Sequence, residues 1–133
     1  MSMVKSLFWF ITASALLGLS SISGAENGSI TYEPGQGPGG GKHIVFVCGE
    51  WEYRCEESLP MMAKILAERH GFKCTVLFSI NPRDGTVDPS IKTNIPDMKL
   101  LKTADMMVVF AMDLELPDEQ MKHFVAFLET EKE

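Results

Sequence analysis

The sequence predicts an α/β fold, with a parallel sheet of three strands in the order second, first, third between layers of helix. Three observations predict it. Continuous β-favouring apolar runs stand at Ile44–Cys48, Lys73–Phe78 and Met106–Phe110, the pattern of strands covered on both faces. Between the first two, Leu59, Met62, Ala63, Leu66 and Ala67 fall at i, i+3, i+4, i+7 and i+8, an apolar stripe with Lys64, Glu68 and Arg69 turned outward. A strand, helix, strand order with short connections gives a right-handed crossover, which leaves the two strands parallel.

Residues 1–25 precede any of this and read as a secretory signal peptide. Lys5 opens it, an apolar core runs from Leu7 to Leu19, and Ser23 and Ala25 are the small residues a signal peptidase needs, so the mature chain is expected to begin at Glu26. The apolar run is short for a spanning helix, so no membrane attachment is expected after cleavage and the protein is placed outside the cytoplasm, secreted or periplasmic. Residues 26–41 carry Pro34, Gly35, Gly37, Pro38, Gly39, Gly40 and Gly41 and are expected to form a flexible leader to the folded domain, 42–133. The glycines precede the first strand, whereas a phosphate loop follows a strand.

The first strand is Ile44–Cys48, ending at Gly49, which lets the backbone turn out. Ser58 is placed as the cap of the first helix and Pro60 in its first turn, and His70-Gly71 closes it with a favourable charge and a left-handed stop. The second strand is Lys73–Phe78. Asn81 to Asp97, with Pro82, Asp84-Gly85, Pro89 and Pro96, is a long loop, followed by a short helical turn over Met98–Lys102. Asp105 introduces the third buried strand. Pro117, Asp118 and Glu119 start a second helix, on which Met121, Phe124, Val125 and Leu128 form the apolar stripe. Thr130–Glu133 follow where an α/β repeat would turn into another strand, so the domain reads as incomplete.

The net charge of −6 and the absence of clustered Lys and Arg argue against nucleic-acid binding. Three cysteines, Cys48, Cys55 and Cys74, leave at least one thiol free or paired between molecules, and no disulfide scaffold is expected. Neither they nor His43, His70 and His123 show metal-ligand spacing, so no metal and no cofactor is assigned.

In open α/β sheets ligands bind beyond the carboxyl ends of the strands. Two loops qualify: Gly49-Glu50-Trp51-Glu52-Tyr53-Arg54 after the first strand and Ala111-Met112-Asp113-Leu114-Glu115 after the third. In the second, first, third order they face each other. Glu50 and Glu52 are candidate acid and base, since crowded carboxylates push their pKa values apart. Tyr53 and Arg54 are candidates to hold a sugar hydroxyl or a carboxylate, and Asp113 completes the candidate set with Gly49. The competing reading has Glu56 and Glu57 complementing the helix dipole and Trp51 and Tyr53 packing on the sheet.

The run Lys42 to Arg54, with Glu56-Glu57-Ser58-Leu59-Pro60 after it, resembles the opening of secreted trehalose-utilisation (ThuA-like) proteins. His70-Gly71-Phe72, Thr93-Asn94-Ile95-Pro96, Leu101 to Asp105 and Leu116 to Met121 stand in the order that family shows, so the resemblance covers the chain from about Thr31 onward. It implies a flavodoxin-like sheet of the class I glutamine-amidotransferase-like superfamily and a link to carbohydrate utilisation, with a small carbohydrate as ligand and a possible glycosyl-hydrolase-like role. Cys48 and Cys55 stand where small or hydroxyl residues are expected, and Met112-Asp113 where relatives place a basic residue. The superfamily also suggests a Cys nucleophile assisted by a carboxylate at the position of Glu50. That nucleophile follows a later strand, and Cys48 reads instead as a buried strand-end thiol and Cys55 as a helix-start residue. No complete catalytic set is assigned. A non-catalytic interaction module and an inactive truncated product are the alternatives. The third strand has no Lys or Pro to blunt an edge, so self-association through it is also expected.

Overall fold

A computed structural model of the chain describes residues 22–23 and 28–130. In chain order these form β1 (Ile22–Ser23), β2 (Ser29–Tyr32), β3 (His43–Gly49), α1 (Cys55–His70), β4 (Lys73–Phe78), a 3-10 helix (Met98–Thr103), β5 (Met106–Ala111) and α2 (Asp118–Leu128). The expected signal peptide and its cleavage point lie outside the described residues, save for Ile22 and Ser23, which pair with Tyr32 and Thr31. Among the described residues no helix is long and apolar enough to cross a membrane.

The fold is α/β, and β3 runs parallel to β4 on one side and to β5 on the other, with Ile44 opposite both Cys74 and Met106. The three expected strands therefore stand second, first, third. The sheet is nevertheless larger than three strands and is mixed: its full order is β1-β2-β4-β3-β5, and β2 lies antiparallel beside β4. The expectation of a wholly parallel sheet is corrected accordingly.

The same strand corrects the expectation of a flexible leader over 26–41, of which Glu26 and Asn27 lie outside the described residues. Thr31 and Thr75 join hydroxyls across the β2–β4 pair at 3.0 Å, and the Ser29 hydroxyl donates to Asp97 at 2.7 Å. The glycine run then wraps the carboxyl end of α1, where Gly35, Gly39 and Gly41 donate N–H groups to the carbonyls of Ala67, His70 and Gly71 at 3.0, 2.7 and 2.8 Å. A Cβ at Gly37 would lie 2.3 Å from the His70 carbonyl carbon, so only glycine allows this approach. Backbone hydrogen bonds, together with Ile30 and Tyr32 packed against the core, order the segment, which is why its Gly- and Pro-rich composition misleads.

Two apolar clusters make the layers. On one face Ile44, Phe46, Cys74, Val76 and Phe78 pack under Leu59, Ala63 and Ala67 of α1. On the other, Val45, Val47 and Leu77 meet Met98 and Leu101 of the 3-10 helix and Phe127 of α2. The alternation of strand side chains assigns each residue to its face.

Helix α1 starts at Cys55, three residues before the expected cap. Ser58 is inside the helix, its hydroxyl donating back to the Arg54 carbonyl at 3.4 Å, and Pro60 sits past the first turn. Gly71 closes α1 in the left-handed region at φ 74°, as the His70-Gly71 pair predicts. β5 is the other departure: it is an edge strand with side chains only partly covered, not a buried one.

Candidate functional site

The parallel strands β3 and β5 end side by side, and the loops that leave them are in contact. Gly49 is the last residue of β3 and stands opposite Ala111 of β5; its carbonyl accepts the Met112 N–H at 3.3 Å. Its role differs from the one expected. Gly49 has no positive φ, and a Cβ there would meet Leu114 Cδ2 at 2.8 Å, so the missing side chain makes room for the second loop.

Glu50 is 2 % exposed. Its two carboxylate oxygens accept the backbone N–H groups of Glu52 and Tyr53, the latter at 2.7 Å, so the side chain holds the loop in shape from beneath. A buried carboxylate is tolerable on these terms, because charge-assisted bonds to backbone N–H groups replace lost hydration. Glu52 is exposed. The expected acid–base pair is thus split between a buried brace and a surface carboxylate.

Trp51 and Tyr53 project outward, 57 % and 66 % exposed. Tyr53 stacks on Phe110 of β5, with ring centroids 6.2 Å apart and planes 24° from parallel, so the first loop rests on the third strand. Arg54 caps α1 from the left-handed region, φ 54°, and its guanidinium pairs with Glu57 at the surface. Asp113 in the second loop has the same φ, 54°, and its carboxylate lies 3.4 Å from Lys92 Nζ. Arg54 and Asp113 are the non-glycine residues with positive φ among the described residues, a conformation that costs on the order of 1 kcal/mol or more. Both fall in the two loops that the fold singles out.

Cys48 and Cys55 form a disulfide that ties the end of β3 to the start of α1, with Cα atoms 5.9 Å apart, and so closes the base of the first loop. This corrects the reading of Cys48 as a buried strand-end thiol, while Cys55 does stand at the start of the helix as expected. A spacing of seven residues does not by itself show the pairing, which depends on the loop returning the first residue of α1 to the end of β3. Cys74 remains the free thiol; it is buried in β4, and desolvation pushes its pKa up to about 11.

Sequence reasoning also missed the frame behind the second loop. Gln120 of α2 accepts the Ile95 N–H at 2.8 Å and donates to Asn94 Oδ1 at 2.9 Å, and the Glu115 N–H donates to the Lys92 carbonyl at 2.9 Å. These bonds fix the Asp88–Asp97 segment beside Asp113; the available signal was polar side chains placed in a loop rich in Pro and Asn. Among the described residues no group of His, Cys, Asp and Glu is placed to hold a metal ion. No family model, curated protein or solved structure matches the chain.

Proposed function

We propose that this is a ThuA-like domain of flavodoxin-like type that binds a small carbohydrate outside the cytoplasm, on the paired loops Gly49–Arg54 and Met112–Glu115. The observation that carries the reading is the exposure of Trp51 and Tyr53 on a braced loop that also carries Glu52 and Arg54, beside the loop that carries Asp113. Large aromatic side chains held in water beside a few polar groups suit a sugar, whose C–H faces stack on rings while its hydroxyls take hydrogen bonds. The ordered motifs from Lys42 to Met121 support the family, and the apolar core Leu7–Leu19 together with the Cys48–Cys55 disulfide supports an oxidising compartment. Glu50 spends both oxygens on backbone N–H groups, so the role is binding, and no hydrolytic step is assigned.

Titration calorimetry with trehalose and a panel of di- and monosaccharides tests this. Trp51→Ala is expected to weaken binding about tenfold, roughly 1.4 kcal/mol, and Arg54→Ala to weaken it as well, while His70→Ala, at the far end of α1, leaves it unchanged. Absence of any sugar binding, or equal losses at all three positions, overturns the reading. The second reading, an interaction module, rests on the uncovered edge of β5.

A further inference from the structure

We infer that the crevice between the 3-10 helix and α2 binds a small monocarboxylate with an apolar body, one aromatic ring or a short alkyl chain in size. The crevice holds about 220 Å³ and is lined by Leu101, Lys102, His123, Ala126, Phe127 and Thr130. Thr103, at the end of the 3-10 helix, meets His43 at the start of β3, whereas the paired loops leave the opposite ends of the strands at Gly49 and Ala111. The crevice is therefore a separate site, and it does not depend on the carbohydrate reading.

The floor sets the body of the ligand. Leu101 and Phe127 are 1 and 4 % exposed and belong to the apolar cluster under Val45, Val47 and Leu77, so the base of the crevice is fixed and dry. Ala126, exposed on α2, has too small a side chain to fill the space beside them. An apolar cavity of roughly 150 Å³ already admits benzene, so one ring or a chain of like bulk fits here and a larger body does not.

The rim sets the charge. The chain carries −6, yet the two ionisable side chains that line the crevice, Lys102 and His123, are both basic. Lys102 is exposed and enters no ion pair among the described residues. His123 is half-buried, and an imidazole N–H donates whether the ring is neutral or charged. The nearby acids are engaged elsewhere, Glu119 with Lys122 and Asp105 with the His43 N–H at 2.8 Å. Bare carbonyls at the end of α2 would repel an anion, but these are covered. The Val125 carbonyl accepts the Glu129 N–H at 3.1 Å, and that of Phe127 accepts the Thr130 N–H at 3.0 Å and the Thr130 hydroxyl at 2.6 Å. The Thr130 proton is thereby used, which leaves Lys102 and His123 as the side-chain donors, a pair that suits the two oxygens of one carboxylate. An ammonium group would meet Lys102 instead, and a neutral ligand would leave its charge unanswered.

Titration of the full chain with sodium benzoate and with sodium hexanoate, followed by amide and imidazole chemical shifts, tests this. Saturable shifts at Lys102, His123 and Phe127, with none at Gly49–Arg54, are expected for at least one of the two salts, and the tighter of them shows whether the body is a ring or a chain. Benzamide and hexanamide, which match them in shape without the charge, are expected to bind about tenfold more weakly, as is the better carboxylate to Lys102→Gln. Ala126→Trp fills the crevice from an exposed position and is expected to abolish binding with an unchanged circular dichroism spectrum. Both substitutions fall at exposed residues, and retained dispersion in the amide spectrum separates loss of the site from loss of the fold. Absence of saturable shifts with both carboxylates, equal binding of the amides, or binding that survives Ala126→Trp in the folded variant would overturn the proposal.

Discussion

At the scale of single residues, the chain uses polar groups inside the fold as braces. His43, at the start of β3, is buried; its Nε2 lies 2.8 Å from the Thr75 hydroxyl, which meets the Thr31 hydroxyl, and its Nδ1 lies 3.3 Å from the Thr103 carbonyl. A carbonyl can only accept, so Nδ1 carries the proton and Nε2 accepts from Thr75. Burial lowers the His43 pKa below its ordinary value of 6.5, with the Lys73 charge acting the same way, against the Thr103 carbonyl, Asp105 and Glu33. The unfolded chain then binds a proton more readily than the folded one, so the stability this residue confers is complete above pH 6.5 and is lost as the pH falls through 6.5 toward the lower folded value. Thermal unfolding between pH 7.5 and 5 is expected to show Tm falling, with a shallower fall in His43→Gln; parallel slopes would contradict this. Glu50, Tyr53, Arg54 and Asp113 were legible as loop residues because each follows an apolar run. That Glu50 turns inward while Glu52 turns outward was not, since it depends on which backbone N–H groups the loop presents.

At the scale of elements, hydrophobic period identifies what buries an apolar face, and it located the three parallel strands and both helices to within a few residues. It is blind to β2 and the glycine run, which are held by backbone bonds to β4 and to the end of α1. It also misplaced the start of α1, because Ser58 and Pro60 resemble a cap and a first turn, whereas the loop geometry at Arg54 starts the helix sooner. The Cys48–Cys55 bridge closes the loop between β3 and that start. With seven residues of separation it removes loop entropy worth about 2–3 kcal/mol from the unfolded chain. Cys55→Ser is therefore expected to lower the urea midpoint by that amount of stability, and reduction of the wild type to do the same. A thiol reagent at pH 8 is expected to find no reactive cysteine in the folded oxidised chain and Cys74 alone after unfolding, since Cys74 is buried with its pKa near 11. A reactive thiol in the folded state, or an unchanged midpoint in Cys55→Ser, would contradict this account of the bridge.

At the scale of the molecule, the sheet has two unlike borders. Toward β2 and β1 it is extended by antiparallel strands, while β5 ends it with an apolar edge and with side chains partly open on both faces. The apolar run Met106–Phe110 gave the strand's existence and its place beside β3, but a run that reads as buried is equally the composition of an edge waiting for a partner. The candidate site sits where β3 and β5 end, between the braced first loop and the framed second one, and β5 carries Phe110 on which Tyr53 stacks. The central claim is that the paired loops are a carbohydrate surface, and backbone amide chemical shifts measured during titration with trehalose and related sugars test it most directly. Saturable shifts concentrated at Gly49–Arg54 and Met112–Glu115, together with the Trp51 indole, are the predicted result; no shift with any sugar, or shifts confined to residues distant from these loops, would contradict it.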